Sequence, residues 1–169
     1  MIHDPFPELP DETRLWVMVL DHPLNASEHA RFAEGLQAIL EGWRHKGQVY
    51  EAAWELRDAQ LLLIAEPLLA SLPSGCAIDG MLRKVERTAS EVGARITSDQ
   101  EVVIRCGQKL ELHCRTELSS LLEKGRICSE TLLVDRSLHN LAQLRQGCLE
   151  RPLVKTWIGR KYGLAVMQP

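Results

Sequence analysis

No stretch of this 169-residue chain is apolar for long enough to cross a bilayer. The longest such run, 61–72, is broken by Glu66 and Pro67. The opening residues, through Asp11 and Glu12, lack both a basic patch and an apolar core, which excludes a secretory signal and predicts a cytoplasmic protein. Five cysteines, at 76, 106, 114, 128 and 148, form no Cys-x-x-Cys pair and have no histidine at zinc spacing. They predict reduced thiols in a reducing compartment rather than a disulfide framework. The phosphate-binding signatures are absent too. Gly75-x-x-x-x-Gly80 is followed by Met81-Leu82 and not by Lys-Ser/Thr, and there is no Gly-x-Gly-x-x-Gly. The histidines are scattered, with no two at ligand spacing beside a carboxylate, so neither a metal site nor a cofactor is expected. No internal repeat or low-complexity tract is found.

What is there is an ordinary globular composition, 45% apolar and 25% charged, long enough for a sizeable core. The net charge of −3 hides an asymmetry. Residues 1–66 hold 5 Lys/Arg against 12 Asp/Glu, whereas residues 145–169 hold five basic residues against Glu150 alone. Such a basic end suits an acidic partner or the acidic half of the chain itself.

Residues 1–14 are acidic, rich in proline and aperiodic, which predicts a flexible arm. Leu15-Trp-Val-Met-Val-Leu20 reads as a strand buried on both faces. Asn25, with Glu28 three residues on, opens a helix whose stripe is Phe32, Leu36, Ile39, Leu40 and Trp43. Residues 48–56 alternate as a half-buried strand, and 57–60 turn into the apolar strand Leu61-Leu-Leu-Ile-Ala65. Met81, Leu82, Val85, Ala89, Val92 and Ile96 mark a second helix from about Asp79 to Arg95. A hairpin over 101–114 pairs best with a three-residue loop, setting Cys106 opposite Leu110, Ile104 opposite Leu112 and Arg105 opposite Glu111. Residues 116–124 form a short helix, 131–134 a short strand, and a last helix runs through Leu138, Leu141, Leu144 and Cys148. The end, with Trp157 and Tyr162, reads as irregular.

This order matches the ferredoxin-like βαββαβ unit, an antiparallel sheet with two helices on one face. It predicts an α+β core over 15–114 and an extension over 115–169 packed on it. The strands at 15–20 and 61–65 are expected side by side and parallel, so that the Asp21-His22 loop meets Ser74-Gly75-Cys76. A free sheet edge would leave room for a homodimer.

Three groups of residues could carry function. Cys76, at the strand-to-helix turn, could be a nucleophile activated by the helix N-terminus, with His22 as base and Asp79 assisting. The alternative is that Cys76 packs and that Asp79 or Ser74 caps the helix. The same turn, Ser74, Gly75 and Cys76 with Arg83 and Lys84, could hold a small anionic ligand. The tail interleaves Arg151, Lys155, Trp157, Arg160, Lys161 and Tyr162, a pattern suited to an acidic protein partner or to nucleic acid. The acidic balance of the chain argues against nucleic acid. The alternative is a tail anchored on the core by its aromatic residues with its cations solvated.

The segment Ser74-Gly-Cys-Ala-Ile-Asp79 resembles a Ser-Gly-Cys-Ser-Ile-Asp turn in a family of small bacterial proteins of uncharacterised function, some labelled transporter ATPases. Trp43-Arg-His-Lys-Gly47, Lys124-Gly-Arg-Ile127 and Thr131-Leu-Leu-Val134 are similar to the same family. The resemblance implies a bacterial source and a shared fold over most of 14–162, and no activity. The missing Lys-Ser/Thr gives the ATPase label no support. The expected function is a non-catalytic module binding a protein partner or small anion at 74–79. The competing expectation is a small enzyme dependent on Cys76.

Overall fold

A computed structural model describes residues 4–45, 48–49, 52–66 and 75–164. Strand β1 (Arg14–Val19) leads into helix α1 (Ala26–Glu41), then a two-rung ladder of β2 (Arg44–His45) and β3 (Gln48–Val49). Strands β4 (Ala53–Arg57) and β5 (Leu61–Glu66) precede helix α2 (Gly75–Glu91). After it come β6 (Glu101–Cys106), β7 (Lys109–Cys114), α3 (Leu118–Glu123), β8 (Leu132–Val134), α4 (Leu141–Arg145), β9 (Glu150–Pro152) and α5 (Trp157–Tyr162). The chain is therefore a mixed helix-and-strand fold with two main antiparallel sheets, ordered β1-β5-β4 and β7-β6-β8-β9.

The sheets stack between helices. All six residues of β5 are buried, and burial on both faces explains why 61–65 is apolar without a break. Leu62 and Ile64 meet Phe32, Leu36 and Leu40 of α1 and Met81, Val85 and Ala89 of α2. Leu61, Leu63 and Ala65 point the other way, into a layer with Val103, Leu110 and Val134 of the second sheet. That sheet buries its far face, Val102, Ile104 and Leu133, against Leu118, Ile127, Leu153 and Ile158. The order of layers is helices, sheet, sheet, helices.

Helix α1 begins as its sequence dictates. The Asn25 side chain accepts from the Ser27 and Glu28 amides, and the Asn25 amide donates in turn to the Glu28 carboxylate at 2.9 Å. It ends at Gly42, so Trp43, expected on its stripe, lies just beyond the last turn. Helix α2 lies antiparallel to it: Arg31 reaches the Glu91 carbonyl at 2.9 Å, while Trp43 shares a pocket with Cys76 and Met81.

The expected single βαββαβ sheet does not form. Both helices do cover one face of β1-β5-β4, but β5 runs antiparallel to β1, with Arg14 opposite Glu66 and Val19 opposite Leu61. The reason is local. Helix α1 returns the chain to the start of β1, so β4 runs with β1, and the tight hairpin at 58–60 must reverse β5. Strand β6 joins the second sheet instead, because Val102 and Ile104 on one side and Val103 on the other need cover on both faces. A bridge from Leu20 to Ile96 ties the approach to β6 to the edge of β1, with the Arg95 amide donating to the Asp21 carboxylate at 3.0 Å beside it.

The hairpin register also differs from the expected one. Cys106 faces Lys109, Ile104 faces Glu111 and Arg105 faces Leu110, so the loop is Gly107-Gln108 alone. Gly107 has φ +59°, the left-handed value needed at the first position of a two-residue hairpin turn. Glu111 tolerates a place opposite Ile104 because β7 is an edge strand, where its carboxylate meets His113 at 3.3 Å. Arg105 turns to the other face and pairs with Glu150 at 2.6 Å and Asp58 at 2.8 Å.

The first and last described segments both dock. Phe6 is buried between the sheets, and Arg145 binds the carboxylates of Asp4 and Asp11 and the carbonyls of Phe6 and Leu9. Residues 4–13 are thus held against α4 rather than extended as an arm. The tail read as irregular supplies β9 and α5. Gly159 lets α5 sit on the 3-10 turn Leu153–Lys155: a β-carbon there would lie 2.5 Å from the Val154 carbonyl oxygen. Gly159→Ala must therefore push α5 away, and urea denaturation is expected to show a loss of about 1–3 kcal/mol.

Candidate functional site

The structure takes the first expected site apart. The reversal of β5 puts Asp21 and His22 beside Leu61, at one end of the sheet, while the chain leaves β5 for α2 at the other. His22 precedes the start of α1 and Cys76 lies against its end, Gly42 and Trp43. The helix between them is about 24 Å long at 1.5 Å per residue. His22 binds Asp21 at 2.9 Å and is no base for Cys76. Cys76 is exposed in the first turn of α2, not in a turn before it, so Asp79 stands inside the helix and does not cap it. Of the cations, Lys84 lines the same shallow pocket of about 210 Å³, with Arg44, whereas Arg83 does not. Gly75 is exposed, and Ser74 lies outside the described residues.

A larger and more polar cleft lies in the second sheet. The ladder between β6 and β8 has two rungs, Ile104 with Leu133 and Arg105 with Leu132. Beyond them Val102 and Val103 part from Val134 and Asp135, opening a cavity of about 530 Å³. Arg136 spans the gap. Its guanidinium donates to the carbonyl and hydroxyl of Thr97 at 3.1 and 2.8 Å, and to the carbonyls of Ser98 and Glu101 at 3.0 and 2.7 Å. Burial lowers the pKa of this arginine.

Five cations line the cleft: Arg115, Arg136, Arg151, Lys155 and Arg160. Three carboxylates join them, and two are already committed. Glu101 accepts both terminal nitrogens of Arg95, at 2.8 and 2.7 Å, with the Ser98 amide at 2.8 Å and hydroxyl at 3.1 Å. The Arg95 fork and these two donors hold its pKa down to about 2. Burial works against the charge on Asp135, yet the Ser137 amide and hydroxyl and the Arg151 guanidinium keep its carboxyl below the usual range. Only Asp99 remains against Arg115, Arg136, Lys155 and Arg160. Arg115, Lys155 and Arg160 are exposed and make no ion pair among the described residues.

One wall is the turn into α5, where Thr156 is buried, accepts from the Ile158 amide at 3.2 Å and donates to the Leu153 carbonyl at 2.7 Å. Trp157 stands at the mouth under Arg115, whose guanidinium lies 5.0 Å from the ring centre. Lys161 lies 6.0 Å from the same ring and 5.1 Å from Tyr162, outside the cleft. Four of the six tail residues singled out in the sequence, Arg151, Lys155, Trp157 and Arg160, thus meet at one place. Arg115, Arg136 and the carboxylates that balance them escaped notice, because only the pairing of β6, β8 and β9 brings them there. No sequence spacing announces it.

Comparison with protein-family models, with curated proteins and with solved structures finds no match to this chain. Among the described residues, no group of three or more His, Cys, Asp or Glu could hold a metal, and no helix is long and apolar enough to cross a membrane.

The cluster at Glu101 has a pH signature. A carboxyl whose folded pKa is depressed stabilises the fold fully above its ordinary value, here 4.5, and loses that contribution as pH falls toward about 2. Glu101→Gln should be less stable than the unchanged chain at neutral pH. The gap in urea midpoint should close on acidification through that window.

Proposed function

We propose that this protein is a non-catalytic binding module whose ligand is a small molecule bearing two or more negative charges, seated in the cleft of the second sheet. The carrying observation is the surplus of cations there: Arg115, Lys155 and Arg160 line the opening without a carboxylate partner among the described residues, while the neighbouring carboxylates of Glu101 and Asp135 are taken by Arg95 and Arg151. A volume of about 530 Å³ suits a small ligand. Exposed cations on an open wall recognise phosphate or carboxylate groups by charge and paired hydrogen bonds. With Glu101 and Asp135 tied to arginines, the lining supports holding an anion rather than moving a proton.

The reading at 74–79 is weaker. Cys76 and Lys84 share a shallow pocket, but His22 lies elsewhere and Asp79 is turned to solvent on α2. Cys76→Ser is expected to leave anion binding unchanged.

Titration calorimetry with pyrophosphate at low ionic strength tests the proposal. Binding is expected, weakening as salt is added. Lys155→Glu combined with Arg160→Glu should lower affinity by about a hundredfold, since each reversal turns an attraction into a repulsion. Equal affinity in that variant, or no binding of pyrophosphate or citrate to the unchanged chain, would sink the assignment.

A further inference from the structure

A second cleft, of about 620 Å³, runs along the outer edge of β1. One wall is Arg14, Leu15, Trp16 and Val17, and the other is Arg136, Leu138 and His139. The edge is paired only at its ends. At the start of β1 the Leu15 amide donates to the His139 carbonyl at 3.0 Å, and the Leu141 amide to the Thr13 carbonyl at 3.0 Å. At the far end the Thr97 amide donates to the Val19 carbonyl at 2.8 Å, and the Asp21 amide to the Arg95 carbonyl at 3.0 Å. Residues 13, 15, 19 and 21 therefore direct their backbone groups outward, and by alternation so does 17. The carbonyl of Leu15, both backbone groups of Val17 and the amide of Val19 have no partner among the described residues.

This is an edge with its middle rungs missing. The gap between Leu15 and Val19 spans about 13 Å, room for an extended segment of about three residues. Segments 95–97 and 139–141 already hold the positions in line with it, so a long strand cannot run through and a chain end can. The charged and titratable lining residues are Arg14, Arg136 and His139, with no carboxylate among them, which favours a carboxylate end over an amine end. The η nitrogens of Arg136 are committed to 97–101 and contribute charge alone. Arg14 has a long contact to Glu66, 3.8 Å, and lies 5.7 Å from the Trp16 ring centre, and the His139 ring has no partner among the described residues. Glu66 lies behind Arg14, bound by the Trp16 indole at 3.2 Å.

We infer that this slot receives the C-terminal end of an extended peptide, which adds a short strand antiparallel to β1 with its carboxylate at Arg14 and His139. Backbone rungs supply the affinity and the cations select the free carboxylate. The two clefts share Arg136 alone, whose η nitrogens are committed, so the inference does not rest on the anion cleft.

The test is an NMR titration of the intact chain with acetyl-Ala-Val-Val and with the same tripeptide amidated at its C-terminus. The free acid is expected to shift the Val17 and Val19 amide resonances and slow their hydrogen exchange. Amidation, or Arg14→Ala, should weaken binding about tenfold, the loss of one charge-assisted contact. Lys155→Glu with Arg160→Glu should leave this binding intact. Three results would overturn the inference: Val17 and Val19 unmoved at millimolar peptide, equal affinity for acid and amide, or shifts confined to the cleft around Arg115 and Arg160. The amidated peptide is used on the unaltered chain, so the test stands even if Arg14→Ala does not fold.

Discussion

Strand β5 is the one element that no other part of the fold can do without. Its six residues are buried on both faces, so it must be central in its sheet and that sheet must be covered twice. The first cover, α1 and α2, comes from the chain on either side of it. The second comes from Val103, Leu110 and Val134 on the inner face of β6, β7 and β8, with Leu141 and Leu144 of α4 beside them. Burying a side chain such as Leu63 is worth about 1.5–3 kcal/mol. The pairing of the two sheets is thus what makes the second half of the chain a structural necessity rather than an appendage.

Much of the local structure was legible. The capping pair of Asn25 and Glu28, the stripe on α1 and the unbroken run 61–65 each follow from a periodicity that reflects burial directly. Topology was less so. The same alternation fits a strand in either direction, and the direction of β5 depended on the tight turn at 58–60, whose consequence for β1 had to be traced through α1. The hairpin at 107–108 misled for a related reason. Its register was judged by keeping apolar residues on one face, a rule for half-exposed sheets, whereas β6 is covered on both sides.

The candidate site was legible in part for a physical reason as well. A basic and aromatic run within 151–162 is visible to the eye, but a run says only that charge is present. Whether that charge is spent depends on what folds against it. Arg151 is met by Asp135, while Lys155 and Arg160 face an opening, and Arg115 comes from a different hairpin to stack on Trp157. The cleft exists because two strands stop pairing after two rungs, a property of the sheet that no single segment carries.

The clamp that Arg145 places on Asp4, Asp11 and the carbonyls of Phe6 and Leu9 sets an order in time. Synthesis runs from the amino end, so Phe6 emerges long before the arginine that locks it and before Leu141 and Leu144, which share its cluster. Until α4 leaves the ribosome, the apolar side of β1 and β5 is without its final cover. Residues 4–13 are therefore made before the helix that holds them, and that layer closes only once α4 has followed.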